Sequence, residues 1–214
     1  MVGPSSSHTA GAVRLGNFAR LVLGGEPRLA LIGLHGSLAA TGEGHGTHLA
    51  ILAGIMGLTP DDERIPQARD LAEARGLEYS FSQVDLGEVH PNSARLTLRG
   101  REMGGVETTV CGSSVGGGAV RIWRLDEFEV DLAGRYPTLL LIYPDHPGVV
   151  AAVSGLLADR SFNIAEMKVH RTTRGGRALM ALELDQAPDE ETIGALRGLP
   201  DMAGVRFIPD LEAT

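Results

Sequence analysis

TLLLIYPDHPGVVAAVSGLLADRSFNIAEMKVHR, residues 138–171, opens with an apolar run and passes through Asp145-His146-Pro147-Gly148 into a second one. The first run is short and β-branched or leucine-rich, as a buried strand is. The second, Gly148–Arg160, is long enough for three helical turns and follows a proline and a glycine, which suit a turn and a helix start. Phe162–Thr173 then reads as a strand, and Arg174-Gly175-Gly176-Arg177 suits a hairpin turn. Arg177–Asp185 gives another strand. Asp189–Pro200 gives a helix whose first residues, Asp189-Glu190-Glu191, place negative charge at its positive end. Gly204–Pro209 closes as a strand. The order βαββαβ is that of a ferredoxin-like domain, expected over residues 137–214.

Upstream of a boundary near 133–137 the pattern changes. Val13, Leu15, Phe18, Leu21 and Val22 recur at helical spacing over residues 10–24 and stop at Gly24-Gly25. Leu29–Leu34 reads as a buried strand. Thr41–Leu58 reads as a glycine-punctuated loop entering an apolar helix, and Pro66–Arg75 as a further helix. From Glu78 onward, short alternating segments separated by Gly or Pro predict a mixed or antiparallel sheet. The run Ser113-Ser114-Val115-Gly116-Gly117-Gly118 predicts a turn or a close backbone approach. The fold class expected is therefore α+β: a mixed α/β domain over 1–134, then the ferredoxin-like domain.

The chain has 214 residues, a net charge of −8 and a single lysine, Lys168. An acidic chain without a cluster of basic residues offers no general attraction to nucleic acid or to an anionic membrane. No apolar run reaches the roughly 18 to 20 residues of a membrane span. No basic-then-apolar leader opens the chain, so a cytoplasmic address is expected. Cys111 is the only cysteine, which excludes an intrachain disulfide and a thiolate-bound cluster held by this chain alone.

Three polar loops of the first domain each carry a histidine. Ser5, Ser6, Ser7, His8 and Thr9 precede the first helix. One hydroxyl there suits a helix cap, and the group as a whole suits reception of a carboxylate or phosphate at the helix start. Gly44-His45-Gly46-Thr47 lets an imidazole and the backbone approach a ligand closely. His48 reads as a helix-surface residue, and two histidines without a third ligand are too few for a zinc site. His90-Pro91-Asn92 suits a turn, with His90 as an acid–base group and Arg95 as a carboxylate fork. In the second domain, Asp145, His146 and Gly148 at a helix start, with Asn163 beyond that helix, suit a small-molecule site.

The motifs GPSSSHTAG, GHGT, HPN and GGG, in this order, resemble the beta subunit of the bacterial iron–sulfur-dependent L-serine dehydratases, and residues 138–171 resemble an ACT regulatory domain. The family usually carries a short strand-forming segment ahead of GPSSSHT, which this chain reaches at Gly3, and often Gly-Met where this chain has Ser93-Ala94. The resemblance implies removal of water from L-serine, with pyruvate and ammonia as products. It implies a 4Fe–4S cluster on a separate alpha chain, none being bound by this chain. Substrate contacts are implied at Ser5, Ser6, Ser7, His8, Thr9, Thr47, Asn92 and Arg95, with His45 or His90 as base or orienting group. Arg95 and the serine-rich helix start would hold the substrate carboxylate. The ACT resemblance implies pairing of two copies and an effector, L-serine, at Asp145, His146, Gly148 and Asn163. The first domain also resembles the allosteric substrate-binding domain of some phosphoglycerate dehydrogenases, which implies as the alternative a regulatory protein that binds amino acids or anions without catalysis.

Overall fold

A computed structural model describes residues 9–41, 46–101 and 105–212. The chain divides into two compact units, one of residues 1–126 and 130–133, the other of 127–129 and 134–213.

The first unit is built on a six-stranded sheet. Its strands are β1 (Pro27–Leu34), β2 (Glu78–Gln83), β3 (Ser93–Gly100), β4 (Glu107–Gly116), β5 (Ala119–Leu125) and β6 (Phe128–Leu132), in the order β2-β1-β3-β4-β5-β6. β1 and β2 are parallel, and β1–β3, β3–β4 and β4–β5 are antiparallel. Between β1 and β2 the chain forms α2 (Gly36–Thr41), α3 (Thr47–Ile55), a 3₁₀ turn (Ile65–Gln67) and α4 (Ala68–Ala74). Parallel neighbours require such a crossover.

Helix α1 (Ala10–Leu23) lies across β3, β4 and β5 and packs on α3. The alternation of β3 buries Ala94, Leu96 and Leu98 on the helix side, and Leu15 of α1 lies against Gly112 of β4. The two helices approach closely because glycine faces backbone on both sides. A Cβ on Gly16 would stand 2.4 Å from the Ile51 carbonyl oxygen, and one on Gly54 2.0 Å from that of Val13. Phe18, 1% exposed, anchors this layer, and burying a side chain of that size is worth about 1.5–3 kcal/mol.

The second unit carries β7 (Thr138–Pro144), α5 (Val149–Asp159), β8 (Ile164–Arg171), β9 (Arg177–Leu184), α6 (Glu190–Arg197) and β10 (Gly204–Ile208). Its sheet order is β10-β7-β9-β8, with all three pairings antiparallel. This is the βαββαβ order expected. Leu139, Leu141, Tyr143, Met180 and Leu182 of the sheet form one core with Val153 and Leu157 of α5 and with Ile193 and Leu196 of α6. The Asp189 carboxylate caps α6 by accepting the Thr192 N–H at 2.7 Å, as its place before an acidic first turn predicts. Gly175, at φ 73°, makes the β8–β9 turn.

The element the sequence reading missed is α2. The residue pattern assigns no element to GSLAAT, and the structure forms a six-residue helix there. It is held by the turn at Pro91, whose carbonyl oxygen accepts the Ser37 N–H at 2.8 Å.

Candidate functional site

The turn His90-Pro91-Asn92 is tied down at each of its carbonyls. Pro91 O accepts from Ser37, Asn92 O accepts the Ser114 N–H at 2.9 Å, and His90 O accepts the Ser93 hydroxyl. The Ser93 carbonyl in turn accepts the His35 N–H at 3.0 Å. What the turn leaves over is side-chain chemistry. The His90 ring is exposed, and its Nδ1 accepts the Asn92 N–H at 3.1 Å. Asn92 Oδ1 is buried without a hydrogen-bond partner among the described residues.

Ser114 joins this turn to the start of α1. A Cβ on Gly11 would stand 2.0 Å from Ser114 Oγ, so the first turn of α1 sits directly on β4 there. Arg14 Nη1 donates to the Gly118 carbonyl at 2.9 Å and holds the glycine turn between β4 and β5 against the same helix end. The sequence reading of Ser113–Gly118 is a turn or a close backbone approach. The structure shows the close approach at Ser114, against Gly11 of α1, and the glycine turn at 116–118.

Thr9 stands at the cap position of α1 but makes no side-chain cap bond. Thr47 opens α3 and is fully buried, and its Oγ1 has no partner among the described residues. Gly46, before it, adopts φ 71° and contributes no side-chain cap. Ser5, Ser6, Ser7, His8 and His45 lie outside the described residues.

Arg95 does not share a face with α1. Ala94 points to the helices, so Arg95 leaves β3 on the opposite face, in register with Cys111 of β4, itself in register with Arg124 of β5. Strand alternation thus fixes the face on which Arg95 emerges, while Ser5, Ser6, Ser7 and His8, with which the sequence reading pairs it around one carboxylate, lie outside the described residues. His48 lies half-exposed on α3. Its ring stacks on Phe81 of β2 at 4.2 Å and lines a cleft of about 370 Å³ with Leu34, Ala39, Ala40, Ser82 and Gln83.

Cys111 is 3% exposed, and burial pushes its thiol up against the opposing fields of Arg124 and Arg95. Iron of a cluster binds thiolate. Among the described residues no three His, Cys, Asp or Glu side chains come together as a ligand set. The described residues therefore do not fit as the protein ligands of a 4Fe–4S cluster.

In the second unit, Asp145 Oδ2 accepts the Gly175 N–H at 3.0 Å and an Arg171 N–H at 3.3 Å. These contacts, the Gly175 bond foremost, hold its carboxyl below the usual range. His146 lies 3.0 Å from the Pro147 carbonyl through Nδ1 and 3.2 Å from Asp201 Oδ2 through Nε2. Both contacts, the Pro147 carbonyl foremost, raise its pKa. Gly148, at φ 100°, starts α5. Asn163 lies past the other end of α5 and donates to Asp185 Oδ2 at 2.7 Å. One chain thus brings Asp145, His146 and Gly148 together and keeps Asn163 a helix length away.

No described helix is long and apolar enough to cross a membrane. Residues 1–77 match the family model of the serine dehydratase beta chain, and residues 138–201 that of the ACT domain. The chain is 42% identical over 210 residues to a probable L-serine dehydratase beta chain of Bacillus subtilis, covering 98% of this chain and 94% of that protein. It is 36% identical over 209 residues to the L-serine dehydratase beta chain of Peptoniphilus asaccharolyticus, covering 97% and 93%. It is also 29% identical over 198 residues to a D-3-phosphoglycerate dehydrogenase of Synechocystis, covering 91% of this chain but 34% of that protein. With two such relatives matched along almost their whole length, the chain belongs to the L-serine dehydratase beta-chain family and carries an ACT domain in its C-terminal part.

Proposed function

We propose that this chain is the beta subunit of a two-chain L-serine dehydratase, which converts L-serine to pyruvate and ammonia when joined to an alpha chain bearing the 4Fe–4S cluster. The observation that carries this reading is near-full-length identity to two L-serine dehydratase beta chains. The meeting of α1, Ser114 and the His90–Asn92 turn supports it, because the residues marked by family motifs converge there. The reaction removes the Cα proton and the β-hydroxyl. The aminoacrylate formed tautomerises to an imine, which water hydrolyses.

In this reading the substrate carboxylate is received at the serine-rich start of α1, by Ser5, Ser6, Ser7, His8 and Thr9, where exposed N–H groups and the helix dipole favour an anion. Thr47 and Asn92 present buried oxygens without partners among the described residues, suited to the substrate's donors. His45 or His90 moves or steadies the proton. Arg95 adds positive charge from the far face of the sheet. Departure of the hydroxide is left to the alpha chain. In the ACT unit, L-serine binds where two copies pair, at Asp145, His146 and Gly148 of one and Asn163 of the other. The enzyme works in the cytoplasm.

The test is anaerobic reconstitution. The purified chain alone releases no pyruvate from L-serine, and the chain mixed with its alpha partner does. Pyruvate from the chain alone would overturn the placement of the cluster, and none from the mixture would overturn the function. In the mixture, His45→Ala and His90→Ala read the proton-transfer role, for which a loss of about 10²–10⁴ is expected. A loss within tenfold removes the residue from that role.

A second reading, a regulatory amino-acid- or anion-binding protein without catalysis, is favoured by one observation. The match to phosphoglycerate dehydrogenase covers 91% of this chain but only a third of that enzyme, as an appended module would. Saturable L-serine binding with no turnover in the reconstituted mixture would select it.

A further inference from the structure

The geometry points to a one-way hydrogen-bond relay, from Trp123 through Ser113 to Ser93, that positions His90 so that the tautomer its ring presents to the substrate is the Nε2–H donor. Trp123 Nε1 lies 3.2 Å from Ser113 Oγ, Ser113 Oγ lies 2.7 Å from Ser93 Oγ, and Ser93 Oγ lies 2.5 Å from the His90 carbonyl. The direction follows from the chemistry of the ends. An indole N–H only donates and a carbonyl only accepts. Each serine has one proton, so Ser93 spends its own on His90 O, Ser113 spends its own on Ser93, and Ser113 accepts from the indole.

The relay crosses three strands, and a bulge aims its first member. Cys111 pairs with Arg124 while its neighbour Gly112 pairs with Ile122, which leaves Trp123 as the extra residue of β5. A bulge of this kind turns one side chain out of the regular alternation. Ser93 is fully buried and Ser113 is 3% exposed, so their hydroxyls must be satisfied within the protein.

The consequence is felt at the imidazole. With its carbonyl held from one side, His90 accepts the Asn92 N–H at Nδ1. A nitrogen that accepts cannot carry the proton, so the neutral ring carries it on Nε2. His90 then offers the substrate a hydrogen-bond donor. Trp123, Ser113 and Ser93 are positioning residues that act through it. The catalytic half of this inference rests on the proposed function, and the tautomer does not.

The two halves are read separately. In the chain alone, labelled with [15N]histidine, long-range 1H–15N correlation reports the protonated nitrogen, with His90 assigned by the signal lost in His90→Gln. The expected result is protonation at Nε2 in the neutral ring. Ser93→Ala, Ser113→Ala and Trp123→Phe drive the ring toward a mixture of tautomers, and Ser113→Thr, which keeps the hydroxyl, does not. Trp123→Phe keeps an aromatic ring and removes the donor, so it reads the relay even if Ser113→Ala fails to fold. In the enzyme reconstituted with its alpha chain, the three disruptive variants lower kcat by about tenfold or more, as misplacement of a reacting group does, with KM little changed. His90→Gln, whose side-chain amide can still donate, keeps more activity than His90→Ala. A neutral His90 protonated at Nδ1, or folded relay variants with parental tautomer signal and parental kcat, would overturn the inference. Failure of the parent mixture to dehydrate L-serine would remove the proposed function and leave the tautomer result to decide the relay.

Discussion

Thr47 Oγ1 and Asn92 Oδ1 are buried oxygens without partners among the described residues. Leaving such a group unsatisfied costs about 1–3 kcal/mol, so a folded chain gains by removing it unless something else uses it. Thr47→Val keeps the shape and drops the hydroxyl. The expected outcome is a thermal midpoint equal to or above the parent's, together with a fall in kcat/KM for L-serine in the reconstituted enzyme. Melting curves and initial rates on the same preparations check both halves. A destabilised variant would mean that Thr47 is bonded within the folded chain. Thr47 and Asn92 could be singled out in the sequence from GHGT and HPN, but their lack of partners could not. A missing hydrogen bond is a property of what surrounds an atom in space.

Helix α1 and helix α3 cross where Gly16 and Gly54 meet backbone, and this crossing sets where the two helix starts stand relative to the sheet. Gly54→Ala puts a methyl 2.0 Å from the Val13 carbonyl oxygen. Overpacking of this kind costs typically about 1–3 kcal/mol. Gly155→Ala in α5 is the contrast, since its added methyl meets nothing within 4 Å. It should stabilise by about 0.4–1 kcal/mol through the unfolded chain and through helix propensity. Denaturant midpoints, read as separate transitions for the two units, check the opposite signs. Most elements were legible because period 2 and period 3.6 are written in the residues, as in Ser93–Gly100 and Ala10–Leu23. Helix α2 was not, since its six residues carry no cap signal and are held by Pro91 from a distant part of the chain. The face on which Arg95 emerges was not legible either. Side-chain alternation fixes that Ala94 and Arg95 differ, and only packing against α1 decides which of them is covered.

At the scale of the whole molecule, the ACT unit separates its candidate effector residues between the two ends of α5. Asp145, His146 and Gly148 stand at the start of α5, and Asn163 lies beyond its end. Eleven residues of helix separate them by about 16 Å, too far for one bound amino acid to touch both ends in the same chain. If L-serine is held by all of them, the second end belongs to another copy. Removing either end alone should then abolish binding in a dimer made of one variant. His146→Ala and Asn163→Ala homodimers are both expected to lose L-serine binding, as calorimetry would read it. A mixed dimer of the two variants contains one seam with both defects and one seam with neither. It should recover one binding site per dimer at the parental affinity. Binding by either homodimer at parental affinity, or no recovery in the mixture, would show that the effector does not bridge the pair.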